Sequence, residues 1–260
     1  MTLSKSGIPY LTHVWNPVVG CTRGCPWCWA RKVAKRIGTS IGCEFCKKFN
    51  PHLHPERFDN VTNRQRPAVV GLGFMTDLWG VSSDVPIGPY ALRNRGVWCP
   101  QHIFVTATQC PENIPHYLHP PENWYLLVTA MNQSEAEERL RHARRAWPSQ
   151  RIVLNLEPLL APIDLMQSFG EGIGCLMVEG VAGVILGGMS GPMASQFPLD
   201  ADWVRTVRDQ CAQAGAPFYF KQWSGPPGKW PQGDVEGAPV LNGRIHQELP
   251  QPWARVLSER

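Results

Sequence analysis

The stretch Val14–Arg36 reads VWNPVVGCTRGCPWCWARKVAKR and predicts the first structural unit of the chain. Its apolar, valine-rich start over Val14–Val19 favours a buried strand. The pattern over Trp27–Arg36 is typical of a helix. Between the two lie three cysteines spaced C-x3-C-x2-C. We therefore interpret the stretch as a strand, a loop that carries three thiols, named the cysteine loop, and a helix.

The alternation of strand and helix patterns continues along the chain. Further short, apolar strand candidates are Ala68–Phe74, Ile103–Ala107, Trp124–Ala130, Arg151–Leu156, Gly183–Leu186 and Pro217–Phe220. Helical patterns cover Glu135–Ala146, for which Ser134 is the predicted cap, and Asp202–Ala214. Such alternation predicts an α/β fold with a parallel sheet. Six or seven units, fewer than the eight of a complete barrel of ~250 residues, predict a partial or open (β/α) barrel.

Length and composition predict a single domain over residues 1–260. Its core is expected over about 12–223, with an irregular C-terminal extension rich in Gly and Pro, a tail or lid, over 224–260. Hydrophobic residues at 43% and charged residues at 18% exclude disorder and coiled coil. No apolar run reaches the ~18 to 20 residues of a membrane span, and the start lacks the apolar core of a secretory signal. A cytoplasmic protein without a membrane partner is therefore predicted.

Cys21, Cys25 and Cys28 are interpreted as ligands of an iron–sulfur cluster. In a reducing compartment nine cysteines are not expected to form disulfides, so metal binding is the better account of a cysteine cluster. Thiolates suit such clusters, and three of them hold three irons of a 4Fe-4S cluster. The fourth iron is then open to the amino and carboxylate groups of S-adenosyl-L-methionine (SAM). The alternatives are zinc, which needs a fourth ligand, and structural cysteines.

The cysteine spacing followed by an aromatic residue resembles the signature of the radical SAM superfamily, which implies a (β/α)6-type barrel and a Trp29 that packs near the adenine of the cofactor. Further blocks resemble, in the same order, a family of short phage-associated radical SAM-like proteins. These blocks are Trp15–Val18 with Gly20–Thr22, His54–Arg57, Met75–Leu78, Cys99–His102, Leu156–Leu160, Gly187–Gly188 with Ser190–Pro192, Phe220–Trp223 and Asn242–Arg244.

The resemblance implies a radical reaction. Some phage relatives are associated with hypermodification of thymine in DNA, where a thymine that carries an amino acid is rearranged through a radical. The implied reaction is reductive cleavage of SAM, hydrogen abstraction from an amino-acid-modified thymine nucleotide in phage DNA, and isomerisation. A nucleic acid or nucleotide substrate, a reductase or flavodoxin-type electron donor and location in the host cytoplasm are then implied. Departures from the family pattern at Gln109–Pro111, Met189 and Asn242 leave open a different substrate.

Radical SAM proteins bind their cofactor at the ends of successive strands, which implies roles for six further residues. They are Thr76 and Asp77 for the methionine ammonium, Thr129 and Asn132 for the ribose or the methionine carboxylate, and Gly187 and Gly188 for close approach to the adenine. Each position also has a structural interpretation: a helix cap for Asp77, and turns for Asn132 and the glycines.

Asn155, Glu157 and Lys221 are the candidate catalytic residues. Asn155 and Glu157 alternate with leucines on an apolar strand, where a carboxylate is costly to bury without a partner. Lys221 ends an aromatic strand, and its cation can meet an anionic substrate or a phosphate. The structural alternative is a salt bridge between Lys221 and Glu157.

A second candidate metal site consists of Cys43, Cys46, His52 and His54. Their spacing, C-x2-C-x5-H-x-H, could complete a tetrahedral zinc site, and an auxiliary cluster is also conceivable. His54 belongs to one of the family blocks, so a loop of free thiols is the alternative.

Two other functions fit the sequence. One is a radical SAM enzyme that acts on a peptide or a small metabolite, and the other is a zinc-stabilised nucleic-acid-binding module without catalysis. A brown anaerobic preparation with about four irons per chain indicates the enzyme, and a colourless protein with one zinc that does not respond to dithionite indicates the module. For a DNA substrate, Trp79, Trp223 and Trp230 are candidates to receive a flipped base, with core or lid positions as their alternative.

Overall fold

Strands and helices alternate along most of the computed structural model, which describes residues 3–80, 89–169, 173–226, 234–235 and 238–259. The helices are α1 (Trp29–Ile41), α2 (Glu44–Lys48), α3 (Pro89–Trp98), α4 (Gln133–Ala146), α5 (Ala201–Ala214) and α6 (Gln251–Ser258). The strands are β1 (Ser4–Lys5), β2 (His13–Trp15), β3 (Val18–Val19), β4 (His52–Leu53), β5 (Val69–Leu72), β6 (Ile103–Thr108), β7 (Trp124–Thr129), β8 (Ile152–Leu156), β9 (Ser168–Phe169), β10 (Ile173–Leu176), β11 (Gly183–Gly187), β12 (Phe218–Gln222), β13 (Asp234–Val235) and β14 (Ala238–Pro239).

Eight strands form one sheet in the order β1-β2-β5-β6-β7-β8-β11-β12. The pairs β2/β5, β5/β6, β8/β11 and β11/β12 are parallel, and β1 joins antiparallel to β2. Each of the seven strands predicted from the sequence overlaps a strand of this sheet. The mixed α/β class and the mostly parallel sheet are therefore confirmed. Closure into a partial barrel stays a prediction.

The central strands owe their composition to burial on both faces. Every residue of β5, β7, β8 and β11 is buried, which is why these strands are continuous apolar runs. Helix α4 packs on β8 and buries Ala136, Leu140 and Ala143, which recur at the spacing of one helix face. The apolar face that predicted α4 from the sequence is therefore the face that packs on the sheet.

One predicted strand is divided in two. The sequence predicts a single strand over Val14–Val19, but β2 ends at Trp15 and β3 begins at Val18. Pro17 lies in the gap and has no N–H for a sheet hydrogen bond. Strand β3 instead pairs antiparallel with β4 in a small separate sheet, so the chain leaves the main sheet just before the cysteine loop.

Helix starts differ from the predictions because other residues cap them. The Asn132 side chain accepts a hydrogen bond from the N–H of Glu135 at 3.0 Å, so α4 begins at Gln133 and the predicted cap, Ser134, lies inside its first turn. The prediction of Ser134 as the cap is therefore wrong. Helix α1 begins at Trp29, with Cys28 as the preceding residue, because the cysteine loop extends farther than predicted.

The segment predicted to be irregular, 224–260, contains regular structure near its end. Helix α6 follows Pro250, and its Trp253 side chain is completely buried. Proline is well tolerated at the start of a helix, which agrees with Pro250 before α6 and Pro252 in its first turn. The shorter pair β13 and β14 also falls within this segment.

By its contacts the chain forms two compact units, Met1–Leu126 with Arg255–Arg260, and Leu127–Ala254. The first unit holds the cysteine loop and the second candidate metal site, and the second unit holds the candidate catalytic residues. The single domain predicted over 1–260 stays a prediction. In the part of the chain that is described, none of the helices has the length and apolar character needed to cross a membrane.

Candidate functional site

The cysteine loop begins at a position that only glycine can occupy. Gly20 has a φ of +102°, and a Cβ at this residue would lie 2.3 Å from the carbonyl oxygen of Asn50. Its N–H donates to the carbonyl oxygen of Met75 at 3.0 Å, and the N–H of Cys21 donates to that of Phe49 at 3.3 Å. Two backbone segments therefore fix the entry to the loop, and the missing side chain lets them approach.

The three thiols of the cysteine loop are free and partly exposed. The N–H of Cys28, which precedes α1, donates to the carbonyl oxygen of Cys25 at 3.2 Å. Amide donors point at two of the sulfurs: Gln109 Nε2 lies 3.7 Å from Cys25 Sγ, and the N–H of Arg23 lies 3.5 Å from Cys21 Sγ. Such donors stabilise a thiolate.

Asp77 ties together the segments that follow β5 and β6. Its Oδ1 accepts hydrogen bonds from the N–H of Trp79 at 3.3 Å, the N–H of Gly80 at 3.2 Å and the hydroxyl of Thr108 at 2.7 Å. Its Oδ2 accepts from the N–H of Gln109 at 2.8 Å. A carboxylate offers about four acceptor sites, so the protein itself uses most of them. Asp77 is a buried loop organiser, and its predicted role toward SAM stays a prediction.

The Asp77 carboxylate also affects the first thiol of the cysteine loop. Burial raises the pKa of Cys21, the N–H of Arg23 lowers it, and the negative charge of Asp77 raises it further. The loop is joined to the same region by the hydroxyl of Thr22, which donates to the carbonyl oxygen of Gly80 at 2.6 Å. Asp77 and Cys21, both assigned to the cofactor site from the sequence, thus lie in one region.

Thr76 and Trp29 keep binding capacity that the protein does not use. The Thr76 hydroxyl oxygen is buried and has no hydrogen-bond partner among the described residues. Such a group in a native protein calls for an explanation, and a bound ligand is one. Trp29, the first residue of α1, is 50% exposed, so its indole face is accessible to a ring such as adenine.

In the second unit, Asn155 and Thr129 are brought together. Asn155 Nδ2 donates to Thr129 Oγ1 at 3.1 Å, and Asn155 Oδ1 is buried without a partner in the described part of the chain. Asn132, predicted with Thr129, uses its side-chain oxygen for the cap of α4. Thr129 therefore contacts a predicted catalytic residue, and the cofactor roles of Thr129 and Asn132 stay predictions.

Glu157 and Lys221 form an ion pair between side chains that are 17% and 15% exposed. This is the salt bridge considered from the sequence as the structural alternative, and it lies where β8 and β12 end. Gly187 lies against it, since a Cβ there would be 3.3 Å from Glu157 Cγ. A Cβ at Gly188 would be 2.4 Å from the backbone nitrogen of Ser224. Packing of the protein against itself therefore explains both glycines without a ligand.

Of the three tryptophans considered for a flipped base, Trp79 and Trp223 are core residues, 4% and 1% exposed. Trp230 lies outside the described residues. The core alternative therefore holds for the two that can be assessed.

Cys43, Cys46, His52 and His54 form a group that could hold a metal ion such as zinc, because their ligand atoms all lie within 4.8 Å of one another. Cys46 Sγ is 3.2 Å from His54 Nε2 and 3.4 Å from His52 Nε2, and Cys43 Sγ is also 3.4 Å from His52 Nε2. Burial and the neighbouring Cys43 thiol raise the pKa of Cys46 to about 11. A metal ion would displace these thiol protons on binding.

Sequence reasoning missed two supporting residues. Gln109, noted only as a departure from a family pattern, points its amide at Cys25, and Glu56 accepts a hydrogen bond from His54 Nδ1 at 2.9 Å. Gln109 directly follows β6, so its place at a strand end was a usable signal. The spacing His-x-Glu was a signal for Glu56, because carboxylates commonly orient metal-binding histidines.

Comparison with protein families gives one match, to the model described as "Protein of unknown function (DUF5131)", over residues 5–250. The chain belongs to the DUF5131 family. The match spans every predicted site residue of both units. Neither the curated proteins nor the solved structures contain a match to this DUF5131 protein.

Proposed function

We propose that this DUF5131 protein is a radical SAM enzyme whose cluster is held by Cys21, Cys25 and Cys28. The observation that carries the proposal is the placement of three free, partly exposed thiols on a backbone-fixed loop that opens into α1. Three thiolates are the ligand set that leaves one iron of a 4Fe-4S cluster without a protein ligand.

The residues around the cysteine loop fit this cofactor pair. The loop entry is hydrogen-bonded to Met75, and the next residue, Thr76, has the buried hydroxyl without a partner among the described residues. We propose that this hydroxyl donates to the amino acid part of SAM, and that the exposed indole of Trp29 covers the adenine. Gln109 is proposed to stabilise the Cys25 thiolate through its amide N–H. Asp77 keeps the two strand-end segments together, which positions the groups that act.

Cys21, Cys25 and Cys28 would hold the cluster, which when bound would supply the one-electron chemistry for reductive cleavage of SAM and hydrogen abstraction from a substrate. The electron comes from an external reductase or a flavodoxin-type donor. The protein's part is to hold the cofactor, orient it and exclude water. The roles predicted for Thr129, Asn132, Gly187 and Gly188 remain hypotheses.

The proposed substrate is an amino-acid-modified thymine nucleotide in phage DNA, and the proposed outcome is an isomerisation. The support is the ordered series of sequence blocks that resemble the phage-associated family. Asn155, Glu157 and Lys221 are proposed as the residues that act on the amino acid part of that substrate. A peptide or a small metabolite is the alternative substrate class, and a screen of modified oligonucleotides against peptides separates the two.

A second candidate function is a zinc-stabilised nucleic-acid-binding module. The observation that favours it is the group formed by Cys43, Cys46, His52 and His54. It leaves the three thiols of the cysteine loop without a role. The module predicts a colourless protein that contains zinc and no iron, even after anaerobic reconstitution with iron and sulfide.

The deciding experiment is anaerobic reconstitution followed by incubation with SAM and dithionite, with mass spectrometry of the nucleoside products. We expect about four irons per chain, bleaching on reduction, and release of 5′-deoxyadenosine. The Cys25→Ala variant should lose the product. Cys110→Ala is the matched control, because Cys110 is a buried thiol near Cys21 that the proposal does not use. Product that persists in Cys25→Ala, or an iron-free wild type, would refute the proposal.

A further inference from the structure

We infer that Cys43, Cys46, His52 and His54 bind a single zinc ion, and that this ion holds the cysteine loop in place. The zinc site itself is independent of the proposed function. Only its effect on the iron centre rests on that function. The inference stands on the separations of the ligand atoms, the orientation of the two imidazole rings, and the backbone contacts that join the site to the loop.

The separations of the ligand atoms match a tetrahedral ion. With Zn–S of about 2.3 Å and Zn–N of about 2.0 Å, tetrahedral angles set N–N and N–S separations of roughly 3.3 and 3.5 Å. The two Nε2 atoms are 2.9 Å apart, and the N–S separations are 3.2 to 3.4 Å. Side-chain shifts of about a few tenths of an ångström therefore suffice to reach the bound geometry.

Both histidine rings aim their lone pairs at the same point. His52 Nδ1 lies 2.8 Å from the carbonyl oxygen of Asn50, and His54 Nδ1 lies 2.9 Å from a carboxylate oxygen of Glu56. A carbonyl and an ionised carboxylate only accept, so each Nδ1 carries the proton and each Nε2 presents a lone pair. Two lone pairs 2.9 Å apart repel each other unless a cation lies between them. The Glu56 contact is the carboxylate–histidine arrangement that orients metal ligands.

The group is closed, as expected for a structural zinc site. It offers four protein ligands, so a tetrahedral ion keeps no position for water or substrate. Cys46 and His54 are 1% and 6% exposed, and the Phe45 ring stacks on His52 with centroids 5.4 Å apart. A two-iron cluster with two cysteines and two histidines places the histidines on one iron and the cysteines on the other. Here cysteine and histidine atoms are in mutual contact, which fits one ion.

Backbone contacts join the zinc site to the cysteine loop. His52 lies opposite Val19 in the β3/β4 pair, and Val19 is two residues before Cys21, the first cysteine of the loop. The N–H of His54 donates to the carbonyl oxygen of Pro17 at 2.7 Å. The N–H of Cys21 donates a hydrogen bond to the carbonyl oxygen of Phe49, which lies in the segment between Cys46 and His52. Ordering of this segment by zinc therefore fixes the strand that leads into the loop.

The zinc site also contacts helix α1, which leaves the other end of the loop. A Cβ at Gly38 in α1 would lie 2.7 Å from Cys46 Cβ, so the helix and the ligand are in close contact. The N–H of Cys43 donates to the carbonyl oxygen of Gly38 at 2.9 Å. Cys21 and Cys28 both pack against the apolar cluster that includes Cys46 and Phe49. The ion thus stabilises both ends of the cysteine loop.

The first test is the metal content of protein produced with zinc in the medium and purified without chelator. We expect about one zinc per chain, retained in Cys25→Ala and lost in His52→Ala. His116→Ala, which removes a histidine distant in sequence from the site, is the matched control and should retain zinc. If His52→Ala fails to fold, replacement of zinc by Co²⁺ in the wild type provides the readout, since a tetrahedral Cys2His2 site gives intense visible absorption bands.

Zinc that is absent from the wild type, or retained in His52→Ala, would overturn the site. Loss of iron together with retention of zinc in Cys25→Ala supports the inference and distinguishes this site from the cysteine loop. Zinc in a wild type that never binds iron supports the site while the proposed function fails.

The second test addresses the effect of zinc on the cysteine loop. In His52→Ala we expect about a tenfold loss of 5′-deoxyadenosine formation and a lower iron content, because the loop loses its support. His52→Cys creates a Cys3His ligand set that zinc also accepts, so it should restore zinc, iron and activity together. Full iron content and activity in a zinc-free His52→Ala protein would overturn the positioning role.

Discussion

Replacement of Gly20 by alanine tests the backbone contact on which the cysteine loop depends. The residue combines a φ of +102° with a Cβ position 2.3 Å from the carbonyl oxygen of Asn50 and 2.6 Å from the nitrogen of Pro51. The backbone strain alone costs roughly 1–3 kcal/mol for a residue with a side chain. The overlap adds roughly 1–3 kcal/mol, because backbone atoms cannot rotate away as a side chain would.

We therefore expect Gly20→Ala to lower the free energy of unfolding by about 2–6 kcal/mol. The matched control is Gly24→Ala in the same loop. Gly24 also has a positive φ, +70°, but nothing lies within 4 Å of its Cβ position among the described residues. In this variant only the backbone strain should lower the free energy of unfolding, by about 1–2 kcal/mol. The difference between the two isolates the close approach to Asn50.

Urea denaturation followed by tryptophan fluorescence measures both variants, and iron content after reconstitution measures the loop directly. Gly20→Ala should also bind less iron than Gly24→Ala at equal protein concentration. Equal losses of stability in the two variants would refute the contact between the loop entry and the Asn50 segment. Full iron loading of Gly20→Ala would refute its importance for the cysteine loop.

Three further predictions address other buried groups. Asp77→Asn places an NH2 group opposite the N–H of Gln109 or the other donors, so the free energy of unfolding should fall by about 2–3 kcal/mol in unfolding experiments. The control is Asp200→Asn, which exchanges one good helix cap for another and should change the free energy of unfolding little. Glu157→Gln removes the negative charge beside the mostly buried Lys221 and should lower the free energy of unfolding by about 3 kcal/mol. The double variant with Lys221→Met should recover part of this loss in a double-mutant cycle. Burial lowers the pKa of His102 below its ordinary value of 6.5, so as the pH drops below 6.5 the unfolded chain is protonated at this residue before the folded chain, and the free energy of unfolding falls. His102→Phe should make this fall shallower in urea titrations between pH 7 and pH 5. An unchanged slope would contradict the lowered pKa.

The strands of the main sheet could be predicted because strands that are buried on both faces consist of short runs of apolar residues in the sequence. The same rule failed over Val14–Val19, where Pro17 divides an apolar run between two sheets. The start of α4 was misplaced because both Ser134 and Asn132 are good caps, and tertiary position decides which side chain turns back. Helix α6 was missed because the Gly- and Pro-rich stretch over residues 224–243 was extended as an irregular tail over 224–260.

The candidate sites divide in the same way. Spacing alone identified the three thiols of the cysteine loop and the Cys43–His54 group, since their ligands are close in the chain. Spacing could not identify Gln109 as the donor to Cys25, because 84 positions separate them. It also left Glu157 with two roles, and only the folded chain places Lys221 beside it. Contacts between distant segments are set by packing, which a local pattern does not encode.

The order in which the chain leaves the ribosome bears on how the two proposed metal centres would be assembled. All four proposed zinc ligands have been synthesised once residue 54 is added, and so have both strands of the β3/β4 pair. The anchor at Met75 and the amide of Gln109 appear only later. Because N-terminal segments fold first during synthesis, the nascent protein should acquire its zinc before it can accept iron. Maturation of the iron centre would then begin on a scaffold that one metal has already shaped.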